Sequence, residues 1–180
     1  MIDRDAALAL LTAQNPEPHM LLHALQSEAV MRALATRLGH DPELWGLTGL
    51  VHDLDFPQTK DHPERHALVA AQMLKDKLPP EACAAIAAHN NEMNGAPAPA
   101  GAFDFALRAG ETVTGMIWAA ALMRPTRFDG LEAKSIKKKM KDKAFARAVR
   151  RENILECEKA GIGLDEFLAL AIAAIAPVTI

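Results

Sequence analysis

The sequence predicts an all-α protein folded as a single-domain helical bundle. Half of its 180 residues are hydrophobic, yet only 4% are aromatic and tyrosine is absent. Alanine, leucine and methionine supply most of the apolar side chains, which favours helices over strands. A chain of this length can bury one core without disulfides, so we expect one domain over residues 1–180.

Capping and helix-breaking residues divide the N-terminal part into helices. A first helix over 3–13 ends before Asn15-Pro16, and a second, longer helix stops at Gly39, a residue favoured at helix C-termini. Asp41-Pro42 then caps a third helix, which contains the uncharged segment 44–51.

The remaining elements follow from the same signals. After a loop over 54–61, the sequence predicts a helix bearing His66, and Pro79-Pro80 begins a shorter helix that ends with His89. Residues 90–101 are predicted to be irregular, because a helix cannot continue through Pro97 and Pro99. Three further helices are predicted, over 103–123, 131–151 and 164–176.

The doublet His52-Asp53, at the end of the uncharged segment 44–51, is the most informative feature of the sequence. The segment is apolar or small on every side, as in a helix enclosed by others. A carboxylate at its end loses water and needs a cationic partner, because an unpaired buried charge is costly. No Lys or Arg lies between Leu38 and Gln58. Imidazole beside carboxylate suits a divalent metal, so we predict a metal site here.

Four further candidate ligands lie on separate apolar stripes. Residues three, four and seven apart share one face of a helix, so these side chains should point towards the core. One inward histidine by itself is more often a hydrogen-bonded core residue than a ligand. Together with the doublet, the set favours a shared metal site. The four candidates are His23, His66, His89 and Glu111.

The order of these residues resembles the HD-domain superfamily of metal-dependent phosphohydrolases, over roughly the first two thirds of the chain. That family shows a lone histidine, a His-Asp doublet, two more histidines and a carboxylate. It usually has aspartate at the last position, where this chain has Glu111, and Asp104 two helical turns earlier is the alternative. The matching segments are HALQSEAVMRALA, GLTGLVHDLDF, HALVAAQML, IAAHN and RAGETVTGMI.

The resemblance implies a helical fold of the HD-domain type. A metal-ligand core would span about 19–123, followed by a basic helical extension over about 131–180. His62 lies one turn before His66 on the same face, so spacing alone does not exclude it as a ligand. It stands at a helix start where exposure is expected, and the resemblance favours His66.

The resemblance also implies one or two divalent ions, with Asp53 and His52 as the catalytic residues. One oxygen of Asp53 would join the first ion, and the other would join His66 and His89 around a second. Nitrogen and oxygen ligands without thiolate fit Mn, Fe, Co, Ni or Zn. The implied metal ligands are His23, His52, Asp53, His66, His89 and Glu111.

The activity implied by the resemblance is hydrolysis of a phosphate ester of a small metabolite or nucleotide by metal-activated water, as a phosphomonoesterase or phosphodiesterase. Two alternatives from other classes stay open. Paired iron could support oxidative chemistry on the same ligands, which oxygen-dependent turnover would reveal. A binding module with a structural metal would bind metal and nucleotide but release no phosphate.

A basic segment over 134–151 is the second informative feature. Nine Lys and Arg face one Asp there, a local charge of +8 in a chain of net charge −3. Such a patch attracts phosphate, although a solvated helix face fits the pattern equally well. Nucleic acid is less favoured, because the segment lacks the series of aromatic residues that single-strand binders use. The candidate phosphate contacts are Lys137, Lys138, Lys141 and Lys143.

The compartment and the site entrance complete the expectations. Cys83 and Cys157 are read as ordinary thiols of a reducing compartment, and no uncharged stretch approaches the roughly 20 residues that span a bilayer. We therefore expect a cytoplasmic protein without a membrane partner. The irregular segment 90–101 follows His89 directly, so it borders the active-site mouth or forms a plain solvated connection.

Overall fold

The structure, a computed structural model, describes residues 1–178. All regular secondary structure in these residues is helical, so the all-α prediction is confirmed. Within these residues no helix has both the length and the apolar content needed to cross a membrane. The helices are α1 (Arg4–Ala13), α2 (Pro18–Leu38), α3 (Pro42–Val51), α4 (Phe56–Thr59), α5 (Leu68–Leu74), α6 (Pro80–Ala88), α7 (Asn91–Asn94), α8 (Ala102–Leu122), α9 (Ala133–Met140), α10 (Arg151–Leu155), α11 (Cys157–Ala160) and α12 (Leu164–Ile175).

Helix α2 is the centre of the bundle. It packs against α3, α8 and α12, while α10 and α11 pack on α8. The α2–α3 approach is close at Gly49, where an added Cβ would lie 2.7 Å from the carbonyl oxygen of Ser27. Met31 of α2, Leu50 of α3 and Leu107 of α8 are fully buried, and Met31 packs against Gly49. Burial of this kind fixes the helices relative to one another.

The predicted helix ends agree with the observed caps in the N-terminal part. The Asp3 carboxylate accepts from the backbone N–H of Ala6, and Asp41 accepts from that of Glu43. Gly39 ends α2 with a φ of 76°, a conformation that glycine adopts without steric cost. These local signals position α2 and α3, the two helices that carry the first ligands.

Two predicted helices are shorter than expected. The helix expected to bear His66 begins only at Leu68, because Ala67 turns the chain with a φ of 72°. The helix expected over 131–151 is interrupted: α9 ends at Met140, and an irregular loop over 141–150 leads to α10. The guanidinium of Arg151 holds this loop by donating to backbone carbonyls within it, those of Asp142, Phe145, Ala146 and Val149.

Candidate metal centre

The six predicted ligands come together where several helices end or cross. His23 lies within α2 and Glu111 within α8, whereas His52 and His89 are the C-terminal caps of α3 and α6. Asp53 follows His52 directly. His66 precedes α5, in the turn that Ala67 completes. Ligands from five parts of the chain thus share one place because the buried helices converge there.

Three of these side chains form a first group. The Nε2 atoms of His23 and His52 are 3.2 Å apart, and Oδ2 of Asp53 lies 3.6 Å from the former and 3.5 Å from the latter. These three side chains are close enough together to hold one ion. Glu111 borders the group on the His23 side, with its Oε2 atom 3.9 Å from Nε2 of His23.

A second group lies on the other side of Asp53. Its Oδ1 atom is 3.1 Å from Nε2 of His66 and 3.4 Å from Nε2 of His89. The two oxygens of one carboxylate thus face two separate sets of imidazoles. Both sets are close enough together to hold a metal ion.

The outer nitrogen of each histidine has its own partner, which assigns Nε2 as the ligand atom. Thr114 Oγ1 donates to the carbonyl of Glu111 at 2.7 Å, so it accepts from His23. A proton held on Nδ1 leaves the Nε2 lone pair directed at the centre. The Nδ1 partners are Thr114 Oγ1 for His23 (2.8 Å), the Gly49 carbonyl for His52 (2.8 Å), Asp55 Oδ1 for His66 (2.9 Å) and the Ile86 carbonyl for His89 (2.7 Å).

This arrangement fits a bound cation. With a proton on each Nδ1, the Nε2 lone pairs of His23 and His52 face each other at 3.2 Å with no hydrogen between them, a contact that a cation would relieve. Two imidazole nitrogens that bind the same ion, each at about 2.0–2.1 Å, lie about 3.0–3.4 Å from each other. The observed separation falls in that range, so the residues present suit a divalent metal.

The pKa values in the centre show how strongly its groups interact. Burial lowers the pKa of His52 to about 3, which keeps this imidazole neutral. Burial would also lower the pKa of His66, but its contacts with the carboxylates of Asp53 and Asp55 outweigh burial and raise it to about 10. Burial raises the pKa of Glu111. Without a metal, His66 therefore keeps a proton that a metal would have to displace.

Asp55 supports the centre and was missed in the sequence. It is fully buried, accepts from Nδ1 of His66 through one oxygen, and accepts from the backbone N–H groups of Ala67 and Ala70 through the other. Such a carboxylate orients a ligating histidine and increases its basicity. The reasoning that singled out Asp53, a carboxylate with no nearby Lys or Arg, applies equally to Asp55 and was a signal for it.

Arg108 is a second supporting residue that the sequence did not reveal. It is 3% exposed and donates to the backbone carbonyls of Ala88 and His89, at 3.3 and 3.4 Å. Its charge is balanced by Glu92 and Glu156, at 2.6 and 2.7 Å. Arg108 thereby fixes the end of α6, where His89 lies.

The structure separates the predicted ligands from their alternatives. Asp104 accepts from the backbone N–H groups of Ala100 and Gly101 and so caps the start of α8, whereas Glu111 faces His23. His62 is exposed and contacts Glu64 at the surface. Glu111 and His66 are therefore the residues that reach the centre.

An open cavity of about 310 Å³ lies over the centre. Asn90, the first residue of the segment predicted to be irregular, is part of its wall. Most of the lining residues are polar or charged, and Gly115, Ala148 and Val149 form an apolar part of the wall. The lining residues are His23, Asp53, His66, His89, Asn90, Glu111, Thr112, Thr114, Gly115, Ala148, Val149, Arg150 and Asn153.

The structure does not bring the four candidate lysines to this cavity. The described residues that line the cavity include none of Lys137, Lys138, Lys141 and Lys143. Lys137 instead contacts Asp165 at 2.8 Å. The reason is the loop over 141–150, which replaces the expected helix. It turns Ala148, Val149 and Arg150 towards the cavity and leaves Lys138, Lys141 and Lys143 exposed.

Fold and site together define a helical protein whose histidine–carboxylate centre can hold divalent metal. The family model of the HD domain matches residues 20–155, which include all six predicted ligands. The chain therefore belongs to the HD domain family, within the superfamily of metal-dependent phosphohydrolases. Comparisons with curated proteins and with solved structures gave no match.

Proposed function

We propose that the protein is a metal-dependent phosphohydrolase that cleaves a phosphate ester of a small metabolite. The observation that carries the proposal is the position of Asp53, whose two oxygens face two separate pairs of histidines at the floor of an open cavity. Five candidate ligands around the shared Asp53 carboxylate suit two divalent ions, with Mn, Fe, Co, Ni and Zn as candidates.

The residues of the chain have distinct tasks in this proposal. A divalent ion held here would supply an acidified water and positive charge for the phosphate oxygens. Asp53 and His52 hold the centre together: His52 stays neutral because it is buried, and Asp53 remains ionised because the imidazoles around it keep its pKa well below the usual range despite its burial.

Neutral hydrogen-bonding groups stand next to the ligands. Thr112 donates to Glu111, and the Asn153 amide donates to the Thr112 hydroxyl at 3.4 Å. These contacts hold Glu111 on the side of the cavity facing His23. Oriented groups of this kind position a substrate without adding charge.

The test is a screen of metal-reconstituted protein against phosphate monoesters, phosphodiesters and nucleotides, with phosphate release as the readout. We expect turnover that disappears in Asp53→Asn and after removal of metal by a chelator. The control is Asp61→Asn, an exposed aspartate in the following loop, which should retain activity.

Other outcomes would assign the protein elsewhere. Oxygen-dependent turnover of a substrate without phosphate would indicate paired-iron oxidative chemistry on the same ligands. Tight metal binding with no turnover of any ester would indicate a binding module with a structural metal. Either result would replace the phosphohydrolase proposal. The cytoplasmic location and the lack of a nucleic acid or membrane partner stay predictions.

A further inference from the structure

Arg150 stands at the edge of the cavity over the metal centre. Among the described residues that line this cavity it is the only Lys or Arg. It directly precedes α10, and its side chain is 50% exposed. Arg151 donates to the carbonyls of Ala146 and Val149, so it holds the backbone just before Arg150. The fold thus places one arginine of the basic segment in the wall of the cavity.

The existing partner of Arg150 is shared with another arginine. Its Nη1 atom is 3.4 Å from Oε2 of Glu92. The same carboxylate accepts from buried Arg108 through both oxygens, at 2.6 and 3.2 Å. Glu92 is therefore already neutralised by a closer and more buried partner. A long, half-exposed ion pair of this kind contributes little, so the Arg150 guanidinium can turn to another anion at small cost.

A metal would make the cavity a favourable place for an anion. The centre beside Arg150 contains the carboxylates of Asp53 and Glu111, which oppose a bound phosphate. Divalent ions held there would offset these carboxylates. Arg150 would then add a directed, paired donor to a centre that is already cationic.

The size and chemistry of the cavity restrict the rest of the substrate. Its volume of about 310 Å³ is at the lower end of the range for small-molecule sites. The wall beside Arg150 is built from Gly115, Ala148 and Val149. Within the described chain no Phe, Trp or Tyr lines the cavity, so a nucleobase has no aromatic ring on which to stack.

We propose that Arg150 binds the phosphoryl group of a compact phosphate monoester, and that it is the substrate-orienting residue that the basic segment contributes. This proposal rests on the proposed function and narrows its substrate class. A monoester presents a dianionic phosphoryl group whose oxygens accept two N–H bonds from one guanidinium. Its single small substituent then lies against the apolar wall of the cavity.

The first experiment measures binding of inorganic phosphate to the metal-loaded protein by calorimetry, which needs no turnover. We expect Arg150→Ala to weaken phosphate binding by about 10-fold to 100-fold, the usual effect of losing a charge-assisted hydrogen bond. Metal content should be unchanged, because Arg150 is not a ligand. Arg150→Lys should restore part of the affinity, since it keeps the charge but loses the paired donors.

The matched control is Arg147→Ala. Arg147 is an exposed arginine of the same loop and does not line the cavity, so it changes the net charge equally. Equal weakening by both variants would overturn the proposal, because it would show a general charge effect. Unchanged phosphate affinity in Arg150→Ala, or no phosphate binding by the metal-loaded wild-type protein, would also overturn it.

The second experiment tests the substrate class on the active protein. Arg150→Ala should raise KM for compact monoesters more than it lowers kcat, and kcat/KM of the wild type should be higher for these than for nucleoside monophosphates. Equal or better turnover of nucleotides would overturn the restriction to compact esters. If Arg150-dependent phosphate binding is present but no ester is hydrolysed, the hydrolase function fails while the assignment of Arg150 as a phosphate ligand stands.

Discussion

The metal centre and the basic segment differ in how the chain places their side chains. Most of the predicted ligands project from buried helices or from residues at their ends, so helix packing fixes their positions. His66 lies in the turn before α5, where buried Asp55 holds it. The basic residues lie on a short helix and on an irregular loop at the surface, where a long side chain can point in several directions. The centre is thus determined by the core, and the basic segment by one loop.

This difference suggests how to weigh charged residues in a sequence. Inward histidines at helical spacing converge because the core leaves them few alternatives. A run of lysines carries no such constraint, and its members reach water by default. Of the nine basic residues in this segment, Arg150 lines the cavity, and Arg151 donates hydrogen bonds to the backbone of the loop. Substitutions in the two regions should therefore differ in size and in what they change.

The largest effect should come from Asp53, because it is the one residue shared by both groups of ligands. Asp53→Asn replaces a bridging carboxylate by a neutral amide, and we expect metal content to fall from about two ions per chain towards zero. His66→Ala and His89→Ala should each lose only one ion. Elemental analysis after dialysis measures the steps. One ion in the wild type, retained in both histidine variants, would show a single-metal centre.

The next effect concerns Asp55, which holds His66 rather than a metal. In Asp55→Asn, one side-chain oxygen can still accept from the backbone N–H groups, so the amide nitrogen faces Nδ1 of His66. Because an amide nitrogen donates, Nδ1 of His66 would have to become the acceptor. The imidazole proton would then move to Nε2, the predicted ligand atom. We expect affinity for the second metal to fall about 10-fold to 100-fold, with the first metal retained. Loss of both metals would contradict this division of tasks.

A smaller, pH-dependent effect follows from the raised pKa of His66. Below a pH of about 10 the metal-free protein keeps an extra proton on His66, and metal binding must release it. The second metal should therefore bind about tenfold more tightly per pH unit as pH rises towards that value. Calorimetry in buffers of different ionisation enthalpy measures the released proton. Binding without proton release would mean that His66 is neutral before metal arrives.

The smallest effects should belong to the exposed lysines. Single substitutions of Lys138, Lys141 or Lys143 by Ala should change kcat/KM by less than about twofold. These lysines are exposed and do not line the cavity, and salt screens exposed charges. Steady-state kinetics at physiological ionic strength are the measurement. A tenfold rise in KM for one of these variants would show that this lysine contacts the substrate. The basic segment would then contribute more to the site than Arg150 alone.

Much of the fold, and the set of residues that converges at the centre, could be predicted from the sequence, because both depend on local periodicity and caps. Gly39 and Asp41 mark the helix boundaries on either side of the first two ligands, and these boundaries agree with the structure. The turn at Ala67 could not be read, since a positive φ at alanine is rare and has no sequence signal. It exists because Asp55, distant along the chain, accepts from the Ala67 N–H.

Arg108 and Arg150 were missed for the same reason. Arg108 lies in an alanine-rich helix among apolar neighbours, and only the packing of α7, α10 and α11 around it explains its burial. Arg150 differs from Arg147 by three positions in one loop, and composition treats the two alike. Their roles are set by contacts between distant segments, which neither spacing nor charge runs describe.

The close α2–α3 contact at Gly49 links the hydrophobic core to the choice of ion. Any side chain at this position would push α3 away from the backbone of Ser27, and His52, three residues later, would move with it. The separation of the His23 and His52 nitrogens would then widen, favouring a larger ion with longer bonds over a small one. Metal preference in this protein can thus change through a core substitution that alters no ligand.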